Sequence, residues 1–585
     1  MKHLKLIYLL LAMLLTISCK NDLLVDNDLV SDMKLSPKEM ANTPVFLPLP
    51  NASFEIGTGN SFTNWSMYNG ASMMSATTVP AEVYEGNRAL KVVSTVSNGQ
   101  SGSWKIQLAS VNLPTVSGSD YRIRVWARAT GTSANGFRFQ TRGGTTQLLP
   151  HKKIGTSWAA YEWNFTAAAD STMILFDLGA DVNTYYIDSI SVSSIPVPVV
   201  YSSIWGQNGE LWNKTRIPDF TNAGYMSGNV PIPDYPQSIN VTTLGAVGDG
   251  ITDNTAIFRA AISQCAVNGT VYIPAGKYVL KDTLMIKRSG INIKGAGDGT
   301  ILYFTKGLEE LYPKYNRPGL PNQSDWSWEG GMITFSGDIA GSGIQSLKIE
   351  FPDNAWAGHN FHERGYNAIG FTDRAHDGWI KNIKLKGCDM GIWIGRSAHH
   401  ITAEGWSHDA GPVRVAGTKG VGHHGVNIYG GYNLLQNFEI KGKFDHDLSV
   451  ESQYSIFNVF RNGKGTDICI DHHNHAVRNN LFTNLNVGTG TRLYKSGGND
   501  TPAGININET YWNITAINNL SYNYMGYNTS GAKSKNNVAI GIKTTSGSAT
   551  PNVDNNWYET INPQSLYPKD LYVSQMKLVK NITIN

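Results

Sequence analysis

The phrase Asn437-Phe438-Glu439-Ile440 is followed along the chain by two similar phrases, Asn458-Val459-Phe460 and Asn480-Leu481-Phe482. Their leading asparagines are 21 and 22 residues apart. Four further positions extend the series outward: Asn382, Thr402, Asn513 and Asn537. This period is too short for a helix pair and suits one coil of a parallel β-solenoid, whose stacked Asn side chains can hydrogen-bond to one another. The repeat therefore predicts a long, sheet-lined surface that suits an extended polymer.

The composition favours a β protein with several domains. The 585 residues include 60 Gly, with 10% aromatic and only 16% charged residues. A net charge of +3 gives no indication of nucleic-acid binding, and we expect a monomer. Four cysteines are too few and too scattered for a disulfide framework or a zinc cluster: Cys19, Cys265, Cys388 and Cys469.

The first nineteen residues have the pattern of a leader. Lys2 and Lys5 precede an apolar run at residues 6–17, which is too short to span a membrane, and Ser18-Cys19 resembles a bacterial lipoprotein cleavage site. We expect a lipidated Cys19 and a polar tether at residues 20–44, which predicts an outer-membrane lipoprotein facing the periplasm or the cell surface. The alternative is an ordinary signal peptide, and both readings predict export.

Residues 45–196 alternate apolar and polar side chains in short runs, as an antiparallel β-sandwich does. The phrases Asn51-Ala52-Ser53-Phe54-Glu55, Gly86-Asn87-Arg88-Ala89-Leu90 and Ile187-Asp188 resemble carbohydrate-binding modules of the jelly-roll type. This resemblance implies a structural calcium held by Glu55 and Asp188, because oxygen ligands suit that ion. The alternative is that both are plain surface carboxylates.

Five tryptophans of this region are candidates for stacking on sugar rings: Trp65, Trp104, Trp126, Trp158 and Trp163. Most tryptophans of a sandwich lie in its core, so we expect one or two to be exposed.

A Pro- and aromatic-rich strap at residues 197–238 precedes the predicted solenoid at residues 239–585. The stretch Asn240-Val241-Thr242-Thr243-Leu244-Gly245-Ala246-Val247-Gly248-Asp249-Gly250 resembles the opening motif of the pectate-lyase-like superfamily of right-handed, single-stranded parallel β-helices. The resemblance covers roughly residues 239–560. It implies a helix at residues 255–265, with Thr252 or Asp253 as its N-cap, that covers the open end of the coil.

When the coils are aligned by the Asn series, Ile428, Val450, Ile470 and Leu493 fall on one sheet. We then expect one column of Glu451, Asp471 and Tyr494 and a second of Ser452, His472 and Lys495. Six of the fourteen histidines lie within residues 423–475. Loops on a rigid scaffold often carry function, so we expect substrate to be bound by this patch, by the long loops within residues 402–437 and 356–367, and by an earlier aromatic segment. The predicted substrate-binding residues are His473, His475, His423, His424, Trp406, Trp326, Trp328 and His362.

Most members of the superfamily cleave acidic polysaccharides. A lyase must neutralise a uronate carboxylate and place a base near the proton α to it. We expect His472 or Lys495 as the base, Tyr494 as the acid and Arg492 as the neutralising cation, with His446 nearby. One alternative is a hydrolase that uses Glu451 and Asp471 as paired carboxylates. Another is a surface glycan-binding protein without activity.

Overall fold

The computed structural model describes residues 44–312, 330–355, 364–414, 420–473, 477–495, 506–520, 535–543 and 555–584. The chain forms two compact units, Met1–Val199 and Val200–Asn585. The predicted leader, its Cys19 and all but the last residue of the predicted tether lie outside the described residues. None of the described helices is long and apolar enough to cross a membrane.

The first unit is a sandwich of two antiparallel five-stranded sheets, ordered β1-β4-β9-β6-β7 and β2-β3-β10-β5-β8. Its strands are β1 (Ser66–Asn69), β2 (Met74–Thr77), β3 (Ala89–Ser94), β4 (Gln107–Pro114), β5 (Asp120–Ala129), β6 (Arg138–Arg142), β7 (Gln147–Leu148), β8 (Ala159–Thr166), β9 (Ser171–Asp177) and β10 (Asn183–Ser194). In β5, the alternate residues Tyr121, Ile123 and Val125 are buried in the core, as a half-buried strand requires.

The second unit is a parallel β-helix. Its strands are β11 (Val200–Tyr201), β12 (Gln237–Asn240), β13 (Asp249–Asp253), β14 (Gly269–Ile273), β15 (Gly276–Leu280), β16 (Leu284–Ile286), β17 (Ile291–Gly295), β18 (Thr300–Phe304), β19 (Ile333–Ser336), β20 (Gly343–Glu350), β21 (Asn367–Thr372), β22 (Trp379–Lys386), β23 (Met390–Ile394), β24 (Thr402–Glu404), β25 (Ser407–Asp409), β26 (His424–Ile428), β27 (Leu434–Lys441), β28 (His446–Val450), β29 (Val459–Gly465), β30 (Ile470–Asp471), β31 (Leu481–Asn486), β32 (Thr510–Thr515), β33 (Val538–Ile542), β34 (Trp557–Glu559) and β35 (Leu566–Tyr567). Its α-helices are α1 (Thr255–Gln264), α2 (Leu308–Leu311) and α3 (Leu571–Lys580). The predicted fold class, an all-β chain with a sandwich followed by a parallel β-helix, is confirmed.

Two parallel sheets form the walls of the β-helix. One has sixteen strands, and the other has seven in the order β16-β19-β21-β23-β26-β28-β30. In the seven-stranded sheet, Val426, Leu448 and Ile470 are register neighbours whose side chains belong to the core. Because side chains alternate along a strand, the intervening residues Asn427 and Ser449 point to the outer face of the coil.

The helix α1 begins one residue after Asn254, and Asp253 accepts hydrogen bonds from the backbone N–H and the hydroxyl of Thr255. Phe258 and Ala261 of this helix are buried in the solenoid core. The helix therefore supplies apolar cover at the start of the coil, at the place where the opening motif predicts it.

The Asn series resolves into two ladders rather than one. Inside the coil, each residue donates its backbone N–H to the side-chain oxygen of the next in a buried row of Asn433, Asn458, Asn480, Glu509 and Asn537. A second row, at positions of positive φ within β27, β29, β31 and β32, joins Asn437, Asn462, Asn484 and Asn513. Asn437 and Asn458 thus occupy different positions of the coil, because successive coils differ in length.

Part of the outer face of the sixteen-stranded sheet, along β27, β29, β31, β32 and β33, is apolar and covered. Leu434, Val459, Leu481, Trp512 and Val538 form one cluster with residues of the segment after β11 and of α3. The added residues are Trp205, Ile217, Phe220, Ala223, Leu571, Tyr572 and Met576. The strap at residues 200–238 and the C-terminal helix therefore bury this wall of the coil.

Candidate active site on the seven-stranded sheet

Three histidines and two carboxylates meet on the outer face of the seven-stranded sheet, and we call them the His–carboxylate cluster: His424, His446, Glu451, Asp471 and His473. His424 and His446 are register partners at the starts of β26 and β28. Asp471 closes β30, and His473 follows it with a φ of 46°. All five are buried, none more than 7% exposed. The stacking of three coils thus gathers residues that are up to 49 positions apart in the sequence.

The cluster is held by short polar contacts. His473 Nδ1 lies 2.6 Å from Asp471 Oδ2, and His446 Nδ1 lies 3.2 Å from the same oxygen. Glu451 Oε1 lies 3.4 Å from the Nδ1 atoms of both His424 and His473. The other carboxylate oxygens are held from outside, since Tyr429 donates its hydroxyl to Glu451 Oε2 at 2.6 Å and His473 N–H donates to Asp471 Oδ1 at 2.9 Å.

The pKa values of two neighbouring imidazoles, His446 and His473, differ strongly although their ring centroids lie only 4.8 Å apart. Burial lowers the pKa of His446 to about 3, so this ring is neutral at neutral pH. Burial also opposes a charge on His473, but the carboxylates of Asp471 and Glu451 outweigh it and raise the pKa of His473 to about 10. The cluster therefore combines a neutral imidazole, an imidazolium and two carboxylates.

The register differs from the predicted columns by two residues. Ser449 pairs with Asp471, and Leu448 pairs with Ile470, whereas the alignment by the Asn series placed Val450 beside Ile470. Glu451 consequently lies level with His473 rather than with Asp471. The prediction that Glu451, Asp471 and Tyr494 share one column is wrong.

Three residues with predicted catalytic roles lie elsewhere. His472 turns to the inside of the coil, where its Nε2 lies 3.1 Å from the hydroxyl of Tyr511. Tyr494 belongs to the apolar core, and burial raises the pKa of its phenol. Arg492 donates to Asp447 Oδ2 at 2.6 Å and to backbone carbonyls, so its guanidinium is occupied within the fold. None of the three faces the His–carboxylate cluster as the sequence analysis expected.

Among the predicted substrate-binding residues, Trp406 is the clearest correction. It is 1% exposed and stacks on Phe438 with ring centroids 5.0 Å apart, so it packs in the core. His423 is buried and packs against His424 with the two rings tilted and their centroids 4.0 Å apart. Lys495 is exposed, and its charge acts on His446. Four predicted residues lie outside the described residues: His475, Trp326, Trp328 and His362.

Tyr429 and Ser449 belong to the site but were not assigned to it from the sequence. Ser449 Oγ lies 2.8 Å from His424 Nδ1 and 3.1 Å from Asp471 Oδ2. Tyr429 is half-buried. It directly follows β26 and contacts Glu451, which directly follows the neighbouring strand β28. Strand alternation identifies both residues. Tyr429 lies two residues after the outward-facing Asn427, and Ser449 is the register partner of Asn427.

In the sandwich, Glu55 and Asp188 lie beside one loop. Glu55 accepts hydrogen bonds from the backbone N–H groups of Asn87 and Arg88, and Asp188 accepts from those of Tyr84 and Glu85. Burial, with a smaller contribution from Glu55, raises the pKa of Asp188 to about 6. The described residues bring no third His, Cys, Asp or Glu ligand to this pair. A calcium ion at this place stays a prediction.

The sandwich carries exposed aromatic rings on both of its sheets. Trp65 and Trp163 are core residues, whereas Trp104 is 48% exposed. Trp104 lines a cavity of about 440 Å³ together with Tyr68, Arg138 and Arg142. On the other sheet, Tyr84 stacks on Trp126 with centroids 4.0 Å apart. The expectation that few of the tryptophans are exposed agrees with these positions.

Residues 238–326 match the family described as rhamnogalacturonase A/epimerase, pectate lyase-like. Mannuronan C5-epimerase AlgE5 of Azotobacter vinelandii is 25% identical over 263 residues, which cover 36% of this chain and 26% of that protein. Alginate lyase 7 of the same organism is 40% identical over 80 residues, which cover 12% of this chain and 9% of that protein. The A-module of mannuronan C-5 epimerase AlgE6 from Azotobacter vinelandii has a TM-score of 0.36 and 15% identity, with 56% of this chain and 97% of that module covered.

The chain spans no more than 30% of the length of the five mannuronan epimerases that it matches. The family match and these relatives agree with the resemblance to pectate-lyase-like β-helices that the opening motif indicates.

Proposed function

We propose that this chain is an enzyme that acts on a uronate-containing polysaccharide and removes the proton α to the uronate carboxylate. The observation that carries the proposal is the His–carboxylate cluster on the outer face of the seven-stranded sheet, together with the exposed Lys495, whose charge acts on His446. Mannuronan and alginate, the polymers in the names of two relatives, consist of uronic acids. The C5-epimerase and lyase activities in these names both begin with abstraction of this proton.

Lys495 is the base in this proposal, because the other predicted base, His472, lies inside the coil. In its neutral form, the Lys495 amine takes the proton from C5, the C4–O bond breaks, and a double bond forms between C4 and C5. Tyr429 replaces Tyr494 as the acid, since its half-buried hydroxyl is held by Glu451 and can give a proton to the leaving oxygen. The reaction is then a β-elimination.

The geometry favours elimination over hydrolysis by Glu451 and Asp471. Their carboxylate oxygens lie within 4.8 Å of one another, and both contact Nδ1 of His473. A hydrolase needs its two carboxyl groups on either side of the scissile bond, separated by about 5 Å or more. The imidazole between them occupies the space that a sugar would need.

The test is an assay of the purified chain on polymannuronate, alginate and polygalacturonate in D₂O. Elimination produces a conjugated product that absorbs at about 235 nm. Deuterium at C5 of the polymer without that absorbance would indicate epimerisation by the same proton abstraction. Lys495→Ala should lose about 100-fold or more of the turnover, in keeping with the loss of a general base. Lys464→Ala, an exposed lysine on the other sheet, is the matched control. Reducing ends without either signal would contradict the proposal.

We further propose that the protein is exported and anchored to the outer membrane through Cys19. The support is the leader pattern of residues 1–19. A Cys19→Ala variant should move from the membrane fraction to the soluble fraction, and an unchanged distribution would contradict anchoring through this residue.

A further inference from the structure

We propose that the His–carboxylate cluster is a binding site for one divalent first-row transition-metal ion. The ligands are the Nδ1 atoms of His424, His446 and His473, with Oε1 of Glu451 and Oδ2 of Asp471. The family match, the relatives and the calcium expected in the sandwich do not assign this site.

The shortest distances between the ligand atoms fit a metal ion, and the atoms fall into two sets that share Asp471, each within 4.8 Å: His446, Asp471 and His473, and His424, Glu451 and Asp471. Two atoms that each lie about 2.1 Å from a metal are about 3.0 Å apart at a right angle and about 3.4 Å apart at a tetrahedral angle. The observed distances are 3.2 Å from His446 Nδ1 to Asp471 Oδ2 and 3.4 Å from Glu451 Oε1 to both His424 Nδ1 and His473 Nδ1. Only the 2.6 Å contact between His473 and Asp471 must lengthen by a few tenths of an ångström.

The two carboxylates are arranged as metal ligands with an outer support. One oxygen of each is fixed from outside, by the hydroxyl of Tyr429 or by the backbone N–H of His473. The other oxygen of each faces the imidazoles. Glu451 Oε1 is buried and accepts no hydrogen bond from the described residues, although it lies beside two imidazole nitrogens. Outer donors that orient a ligand in this way are a regular feature of metal sites.

The donor set selects the class of ion. Three imidazole nitrogens with two carboxylate oxygens suit zinc, manganese, cobalt or nickel, whereas calcium and magnesium prefer oxygen ligands alone. A dication would also correct the charge of the site. The two carboxylates of the cluster repel an anionic sugar, and a dication held by them and by three neutral imidazoles neutralises their charge. This last step rests on the proposed function, while the metal site itself does not.

The experiment measures binding without substrate. The chain is dialysed against a chelator, titrated calorimetrically with Zn²⁺ and with Ca²⁺, and analysed for bound metal by mass spectrometry. We expect one Zn²⁺ per chain and no competition by Ca²⁺. Glu451→Gln and His446→Gln should weaken Zn²⁺ binding by more than about 100-fold. Tyr429→Phe, which removes an outer donor but no metal ligand, should weaken Zn²⁺ binding by about 10- to 100-fold. Cobalt added in place of zinc should give a visible spectrum that these variants alter.

The matched control is His399→Gln, which removes a histidine that stacks on His376 in another part of the β-helix. It should leave zinc affinity unchanged, and circular dichroism confirms that each variant is folded. The proposal is overturned if no zinc binds, if Ca²⁺ binds more tightly, or if the control and the cluster variants weaken binding equally. Turnover is scored separately: zinc binding without action on uronate polymers refutes the proposed function alone, and turnover by a protein that binds no zinc refutes the metal site alone.

Discussion

The two walls of the β-helix differ in what they bury on the outside. The sixteen-stranded sheet buries apolar side chains beneath the strap and α3, with Trp512 and Val538 wholly inaccessible. The seven-stranded sheet buries three imidazoles and two carboxylates on its outer face. Burial of apolar surface stabilises a fold, whereas burial of charged groups lowers stability unless they are well paired. The apolar cluster on the first wall thus stabilises the fold, whereas the buried charged groups on the second wall lower its stability.

The largest effect is expected on the apolar wall. Trp512→Ala removes a ring that packs edge-on against Trp205 and donates to the carbonyl of Pro568 at 2.7 Å. It should lower the free energy of unfolding by about 3–5 kcal/mol, as other buried aromatic truncations do. Urea unfolding measures this, with Ile251→Ala, an exposed residue of the same unit, as the control. A loss below about 1 kcal/mol would show that the strap does not stabilise this wall.

A buried histidine inside the coil gives a large effect that depends on pH. His408 is wholly buried against Phe444, and burial lowers its pKa to about 3 from 6.5. The folded chain holds the His408 ring neutral. The contribution of this ring to the free energy of unfolding is therefore fully present above pH 6.5 and is lost as the pH falls from 6.5 towards 3. The loss is on the order of 4–5 kcal/mol. His408→Leu should flatten this part of the pH profile of unfolding, while His376→Gln, a partly exposed histidine, should leave it unchanged.

The sequence predicted the solenoid because apolar positions and asparagines recur at a near-constant spacing. It could not predict the register, because the inner Asn row advances by 25, 22, 29 and 28 residues from Asn433 to Asn537. Insertions that change the length of single coils cannot be located from the spacing between similar sequence phrases. The sequence analysis therefore assigned Asn437 to the same row as Asn458. It also aligned Val450 with Ile470, whereas the true partner of Ile470 lies two residues earlier, at Leu448.

The cluster itself was largely predictable. His446, Glu451, Asp471 and His473 were all expected on one patch, and a two-residue shift leaves Glu451, Asp471 and His473 on the same face of the sheet. His446 has the same parity as the core residue Leu448, so alternation alone does not predict that it contacts Asp471. Alternation also places His472 inside, on the same parity as Ile470, and this signal was present in the sequence. The role of Arg492 was not predictable, because its partner Asp447 lies 45 residues earlier and only the folded coil brings the two together.

A moderate effect should distinguish the two Asn rows. Asn480→Ala removes the buried acceptor for the backbone and side-chain N–H groups of Asn458, so we expect a loss of about 2–3 kcal/mol. Asn484→Gly, in the outer row, should change stability by less than about 1 kcal/mol, because glycine adopts its φ of 53° without strain. Equal losses in urea unfolding would show that burial does not separate the rows.

The smallest effect on stability is expected where the effect on activity is greatest. Glu451→Gln removes one of two carboxylates that face the single imidazolium of His473, and Asp471 remains 2.6 Å from that ring. The remaining charges then balance, so the metal-free variant should unfold within about 1 kcal/mol of the parent chain or prove more stable. Turnover on uronate polymers should nevertheless fall to background. A loss of stability as large as that of Trp512→Ala would mean that this wall, too, is built mainly to hold the coil together.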